Sequence, residues 1–206
     1  PLGYNIRPER LHSIARETVA RYGGQLPSDA EELLSFKGIG RYTAGAIRSF
    51  AFNEDAPILD TNVIRVLHRV FIAEGDPKTQ KNALWELSET LIPRGKGYDF
   101  NQAIMDFGAL QCTPANPSCN DCPLRDECLS LAAGTVAERP VKAGRTRIRP
   151  RYLNYLHLEC GGRIALRRRP EGDIWQGLYD LPAIESDRPP DFTELAAAPP
   201  FRDMFG

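Results

Sequence analysis

Ser35-Phe36-Lys37-Gly38-Ile39-Gly40-Arg41-Tyr42-Thr43-Ala44 is the stretch on which the fold of the first half turns. It lies between two short helical patterns. Upstream, Leu33 and Leu34 follow a Ser28-Asp29-Ala30-Glu31 run that reads as a capping box, Ser28 holding one orphan amide and Glu31 another. Downstream, Tyr42 to Phe52 is helical and rich in small residues (Ala44, Gly45, Ala46), which permits close packing. The two glycines between them let the backbone turn sharply and approach a neighbour closely. Amides around Ile39, Gly40 and Arg41 would then face outward at a helix start, where an anion such as a nucleic-acid phosphate is held. A plain helix–helix turn would use the same glycines, so the hairpin alone does not decide the function.

Working outward, the surrounding pattern is all helix. From Pro8 to about Tyr22, Leu11, Ile14, Ala15 and Val19 recur at three-to-four spacing, and Gly23-Gly24 supplies a stop. Thr61 to Phe71 reads as an amphipathic helix with Val63, Val66, Leu67 and Val70 on one face. Pro77 to Leu91 and Asp99 to Leu110 add two more, the second opened by a capping box of Asp99 and Gln102. Nothing in this part alternates with the period of two that a strand requires.

Two local signals carry chemistry. Asp60, in Pro57-Ile58-Leu59-Asp60-Thr61-Asn62-Val63, stands where a helix begins, and an N-cap role would explain it. The same position would also present a carboxylate, with Asn62 beside it, to a cleft facing the hairpin, able to steady a sugar cation as a base departs. The second signal is Cys112-x6-Cys119-x2-Cys122-x5-Cys128, four soft thiolates in a loop stiffened by Pro114, Pro117 and Pro123. Zinc held by four cysteines usually takes two Cys-x2-Cys pairs, and only one is present. A cubane iron–sulfur cluster, with one thiolate per iron, suits the wrapped loop better. The fifth cysteine, Cys160, reads as a buried or half-buried thiol on a strand.

Composition sets the outer bounds. The chain has 206 residues, 42% hydrophobic and 26% charged, in the globular range, with a formal charge of −1. Mean hydropathy is −0.38, and no apolar run approaches the ~18 residues of a spanning helix. Five cysteines are too few for a disulfide scaffold and favour a reducing compartment. The start at Pro1, without Met or leader, suggests a fragment or a processed chain.

The pattern changes after Leu131. Arg139, Lys142, Arg145, Arg147, Arg149 and Arg151 fall in an acid-free stretch bracketed by Pro140 and Pro150, read as an exposed linker or a phosphate-contacting strap. Beyond it, Tyr152 to Glu159 and Arg163 to Arg168 alternate around Gly161-Gly162 as a β-hairpin. Trp175 to Pro182 reads as loop and short strand, and the tail from Ser186 has too little apolar pattern to complete a core.

Taken together, these residues resemble the helix–hairpin–helix glycosylases with an iron–sulfur loop, the endonuclease III and MutY group, and within it the MutY-type adenine DNA glycosylases. The resemblance runs from Leu2-Gly3-Tyr4 through the hairpin, Ile58-Leu59-Asp60-Thr61-Asn62-Val63, Asp99-Phe100-Asn101-Gln102-Ala103-Ile104-Met105-Asp106-Phe107-Gly108-Ala109 and the cysteine loop. It extends to Arg169-Pro170 and Trp175-Gln176-Gly177-Leu178-Tyr179-Asp180-Leu181-Pro182.

The resemblance implies a mainly α fold: a glycosylase region over 1–135, a linker over 136–151, and the start of a Nudix-like α+β domain over 152–206. It implies monofunctional removal of adenine opposite 8-oxoguanine or guanine by hydrolysis of the N-glycosidic bond. Asp60 would stabilise the sugar cation, with transient covalency, while Asn62 and Tyr42 hold the geometry. Tyr4 would wedge into the base stack, and Lys37, Gly38, Ile39, Gly40, Arg41 and Arg125 would contact DNA. Cys112, Cys119, Cys122 and Cys128 would hold a 4Fe-4S cluster. The partner is double-stranded DNA with an A:8-oxoguanine mismatch, met by a monomer in the cytoplasm of a bacterium or the nucleus of a eukaryote, without a membrane.

Bifunctional endonuclease III relatives place a lysine where this chain has Tyr42, and a His where it has Asn62; both differences argue against a lyase acting on damaged pyrimidines. Thr61 stands where the MutY motif usually has Gly. The family's general acid, a glutamate on a helix preceding the Leu-Gly-Tyr segment, is expected to lie outside residues 1–206, which by themselves would be inactive or serve as a non-catalytic DNA-binding module. A Nudix nucleotide hydrolase is disfavoured, since no glutamate-rich helix follows Leu181-Pro182.

Overall fold

A computed structural model describes residues 6–72, 74–141 and 150–205. Tyr4, with Leu2 and Gly3, and the basic residues Lys142, Arg145, Arg147 and Arg149 lie outside them. The chain divides into two compact units, Pro1–Gly144 and Arg145–Gly206. The described residues of the first unit are helical: α1 Ile6–Tyr22, α2 Ala30–Ser35, α3 Arg41–Phe52, α4 Thr61–Leu67, α5 Lys81–Thr90, α6 Gly97–Leu110 and α7 Leu129–Ala132.

Two apolar clusters organise this unit. Leu33, Phe36, Ile39 and Ala44 pack with Ile14, Tyr22, Leu26 and Ile47, so the turn between α2 and α3 is anchored by its own Ile39. Ile58, Leu59, Val63, Leu67, Leu84 and Trp85 form the second, joining α4 to α5 with flanking residues of α3 and α6. Gly45 brings α3 against the chain before α4, because a Cβ there would collide with the Pro57 carbonyl oxygen.

Several local expectations are corrected. Asp29, not Ser28, caps α2, its carboxylate accepting from the amides of Glu31 and Glu32 at 2.9 and 3.0 Å. A carboxylate placed one residue nearer the helix reaches those amides directly. Of the expected face of α1 only Ile14 turns inward; Leu11, Ala15 and Val19 are exposed, while Thr18 and Tyr22 also turn inward. The helix read over Thr61–Phe71 passes at His68 into a π-helical turn, His68–Ile72. It is not amphipathic: Arg65, His68 and Arg69 are buried along with Val63, Val66, Leu67 and Val70. α5 starts at Lys81 rather than Pro77, since Asp76 holds the Lys78 amide and the Thr79 hydroxyl in a turn. Asp99 is not a cap; α6 already begins at Gly97, and Asp55 accepts from the amides of Gly95 and Gly97 at 2.7 and 3.0 Å.

In the second unit the expected hairpin is only partly formed. Around Gly161-Gly162, both at positive φ, β2 Glu159–Cys160 pairs antiparallel with β3 Arg163–Ile164. The outer residues pair elsewhere: β1 Tyr152–Tyr155 with β6 Ala183–Ser186, and β4 Arg167–Arg168 with β5 Tyr179–Asp180. Cys160 is exposed, since a two-residue ladder has no covered face. The tail is helical, with α8 Phe192–Ala197 capped by an Asp191–Glu194 box and α9 Pro199–Phe205, joined through Phe192, Phe201 and Phe205.

Candidate functional site: a carboxylate joined to a sulfur cavity

The hairpin presents Lys37, Gly38, Gly40, Arg41, Tyr42 and Thr43 to solvent. Gly38 takes φ +104, a left-handed conformation that a side chain would strain. Gly40 caps α3 with no side-chain bond, so amides of the first turn remain available to an external anion. Ile39 is excepted from the expected phosphate contacts. Its side chain is buried, and its amide donates to the Phe36 carbonyl at 3.1 Å. The Arg41 guanidinium lies over Trp85, 4.2 Å from the ring centroid, which ties the start of α3 to α5.

Asp60 caps α4 and is half-buried. One carboxylate oxygen accepts from the Val63 amide at 2.7 Å, and the other from the Asn62 side-chain amide at 3.3 Å. Both oxygens are thereby oriented. The Tyr42 phenol belongs to the same neighbourhood: burial first, then the Asp60 charge, push its pKa above the ordinary tyrosine value. The structure thus brings Tyr42, Asp60 and Asn62 together beside the exposed hairpin.

From Asn62 a chain of hydrogen bonds continues away from the carboxylate. The Asn62 amide oxygen accepts from Arg65 Nη2 at 2.9 Å, and Arg65 Nε donates to the Cys112 carbonyl at 2.7 Å. The same guanidinium donates to the Gly108 carbonyl. Gly108 is required here, because a Cβ would sit 2.9 Å from Asn62 Cβ. Burial, more than any other influence, lowers the Arg65 pKa, and neighbouring Arg69 adds to it; Cys112 and Asp60 act in the opposite sense.

The chain of bonds ends at the cysteines. Cys112 follows α6, Cys119 and Cys122 bracket a 3-10 turn, and Cys128 caps α7. All four are free, half-buried thiols lining one cavity. Arg69, Arg125, Phe107 and Leu131 are among the other lining residues, and no carboxylate or imidazole is among them. Among the described residues, no three His, Cys, Asp or Glu close tightly on a point where a single metal ion would sit. Burial raises the Cys119 pKa, the three neighbouring sulfurs add to it, and Arg69 opposes it. Burial likewise raises that of Cys122, with Cys112 and Cys128 contributing. Arg125, expected on the DNA, is exposed at the cavity's edge.

Arg65 and Arg69 are the residues that reading the sequence missed. Their signal was two cations one helical turn apart in a helix rich in Val, Ile and Leu, a spacing that puts both on one face.

Residues 21–50 match the helix-hairpin-helix motif. An adenine DNA glycosylase of Arabidopsis thaliana is 37% identical over 199 residues, 89% of this chain and 31% of its own length. A thymine/uracil-DNA glycosylase of Methanothermobacter thermautotrophicus is 39% identical over 125 residues, 60% of this chain and 57% of its own. Over most of its length the chain is similar to the MutY-type helix–hairpin–helix glycosylases. Among solved structures of similar fold is an endonuclease III–DNA covalent intermediate, with TM-score 0.53 and 25% identity over 61% of this chain and 58% of that one. The chain spans about a third to just over half of the curated relatives it matches. The hairpin falls within the residues that match the motif, and the match to the Arabidopsis glycosylase covers most of the chain.

Proposed function

We propose that this chain forms part of a base-excision-repair DNA glycosylase that removes adenine mispaired with 8-oxoguanine, hydrolysing the N-glycosidic bond without cutting the strand. The observation that carries the reading is Asp60, held by Val63 and Asn62 beside Tyr42 and next to a hairpin whose helix-start amides face solvent. DNA phosphate would bind at Gly38, Gly40 and Arg41, with Lys37 adding charge, and the target base would leave the stack to reach the carboxylate.

As the C1′–N9 bond breaks, the sugar gains positive charge, and the oriented Asp60 carboxylate stabilises it. The Val63 amide and the Asn62 side chain fix that carboxylate, so little reorganisation is needed as charge develops. Tyr42 keeps its proton, since burial and Asp60 both hold the phenol neutral, and it can donate a hydrogen bond toward Asp60 or the sugar. For the same reason it is a poor acid for the departing base. With tyrosine in place of a lysine, the hairpin offers no amine there for a Schiff base, which supports hydrolysis rather than strand cleavage.

We assign Cys112, Cys119, Cys122 and Cys128 to a 4Fe-4S cluster. Four sulfurs lining one cavity free of carboxylate and imidazole fit a polynuclear group that takes one thiolate per iron. When bound, the cluster would supply a covalent crosslink that fixes the loop and, through Cys112 and Arg65, the frame on which Asn62 rests. We assign the second unit to the beginning of a Nudix-like domain, supported by the adenine glycosylase match extending over 89% of the chain while the thymine/uracil one covers 60%. Residues 136–151 we read as the connector, rooted on the first unit by the Arg69 bond to the Arg139 carbonyl.

The test is single-turnover release of adenine from an A:8-oxoguanine duplex by the gene product carrying these residues. Asp60→Asn should slow release by about 10²–10³-fold, the usual cost of losing a charge-stabilising group. Unchanged release in that variant, or release of thymine or uracil in preference to adenine, refutes the assignment.

A further inference from the structure

Arg69 is 2% exposed, yet no carboxylate pairs with it among the described residues. Its donors go to neutral carbonyls: Nε to Arg139 at 2.7 Å, Nη1 to Thr113 at 2.8 Å and Nη2 to Pro114 at 3.3 Å. Nη1 also lies 3.5 Å from Cys112 Sγ. Arg65, one turn earlier, is buried in the same way and donates to two carbonyls and an amide oxygen. Carbonyls satisfy the hydrogen bonds of a guanidinium but leave its charge uncompensated, and a buried charge without a counter-ion is strongly disfavoured. The groups able to supply negative charge at this spot are the sulfurs. The backbone of Arg69 reaches them too, its carbonyl oxygen lying 3.5 Å from Cys128 Sγ.

We propose that Arg69 is the counter-ion of the sulfur cavity, setting how tightly an anionic iron–sulfur cluster is held and at what potential. The inference rests on the assignment of the four thiols to such a cluster. Two effects follow from the geometry. The positive charge favours ionised sulfurs and the more reduced, more negative state of the cluster, and so raises its reduction potential; the contact with Cys112 Sγ acts in the same direction. The fork to Thr113 and Pro114 separately holds the loop that carries Cys112. Charge and fork can be told apart, because lysine keeps the first and loses the second.

The chain and its Arg69→Lys, Arg69→Gln and Arg94→Gln variants would be prepared without oxygen. Iron and sulfide per chain, the rate of bleaching of visible absorbance in air, and the midpoint potential without DNA would be measured. Arg69→Gln should lose its cluster about 10-fold faster or more, as when a residue supporting metal ligands is removed, with a potential more negative than the parent's. Arg69→Lys should keep the parent potential while losing the cluster faster, and Arg94→Gln, altering an exposed cation away from the cavity, should match the parent. Parent-like retention and potential in Arg69→Gln overturns the proposal, as do Lys and Gln variants equally displaced in potential. Should Arg69→Gln fail to fold by far-ultraviolet circular dichroism, Arg69→Lys decides: a parent potential supports the proposal and a shifted one overturns it. A parent chain that binds zinc, or no iron, refutes the cluster assignment itself before any variant is compared, and the proposal falls with it.

Discussion

Each of the two units contains one tryptophan and sets one arginine against it, but the partners exchange places. In the helical unit Trp85 is 3% exposed within the apolar cluster around Ile58 and Leu67, and Arg41 covers it from an exposed position. In the second unit Arg169 is the interior residue, its guanidinium 4.9 Å from the centroid of the half-buried Trp175 ring and donating to Asp173 and Asp180. Ile184 is the one buried apolar side chain among that unit's described residues. One unit is held by excluded water, with two buried arginines that donate mainly to carbonyls near the cysteines; the other is organised around a compensated charge. The first arrangement answers to packing and the second to ionisation.

The largest effect that would break this contrast is expected at Arg65. Arg65→Gln leaves the Cys112 and Gly108 carbonyls without their donor, at about 1–3 kcal/mol for each buried group, so a loss of about 3 kcal/mol is expected. Urea unfolding followed by Trp85 fluorescence in a Trp175→Phe background checks it; a loss under 1 kcal/mol would mean that the carbonyls find other partners. Gly108→Ala comes next. Its methyl must displace Asn62 Cβ, at a cost of about 1–3 kcal/mol for overpacking. The same variant should slow adenine release more than it weakens duplex binding, because Asn62 orients Asp60.

A smaller effect sharpens the reading of the hairpin. Asp29→Ala should destabilise the helical unit by about 1 kcal/mol through loss of the α2 cap, with Ser28→Ala close to neutral. Thermal melts of the pair decide between the two caps.

The smallest effect at neutral pH is the one that separates the units best. Arg169 first, and Arg151 with it, hold the Asp173 carboxyl down to about 2. A carboxyl depressed below its unfolded value of about 3.9 contributes stability above that value and loses it as pH falls toward 2. In the helical unit burial, aided by Arg139, lowers the His68 pKa, while the Glu74 and Gly75 backbone and the Gln80 side chain oppose the shift. A histidine so lowered contributes stability above its unfolded value of about 6.5 and loses it on acidification below that. Acid titration should therefore weaken the surroundings of Trp85 first and those of Trp175 only below about pH 4. Arg169→Met should remove the second transition. A single transition common to both tryptophans would defeat the contrast.

Much of the helical unit was legible in sequence because its signals are local. The spacing of Leu33, Phe36, Ile39 and Ala44 around two glycines fixes a hairpin, and Asp60 before a helical run fixes a cap. Four closely spaced cysteines bring their sulfurs to one cavity through the turns that the prolines and the 3-10 segment allow. Less was legible where partners are distant in the chain. The strand partner of Tyr152–Tyr155 is Ala183–Ser186 rather than its sequence neighbour, a choice local alternation cannot make. The π-helical turn at His68–Ile72 left no periodic signature either.

The amino-acid order by itself determined the helical class, the hairpin, the capping carboxylate and the thiol set, since each depends on residues a few positions apart. Only the tertiary structure decided that Tyr42 stands by Asp60, that Gly108 admits Asn62, and that Arg65 and Arg69 turn inward toward the cysteines. Those outcomes depend on which helices pack together and on where buried charge finds compensation, and both are settled by the whole unit at once.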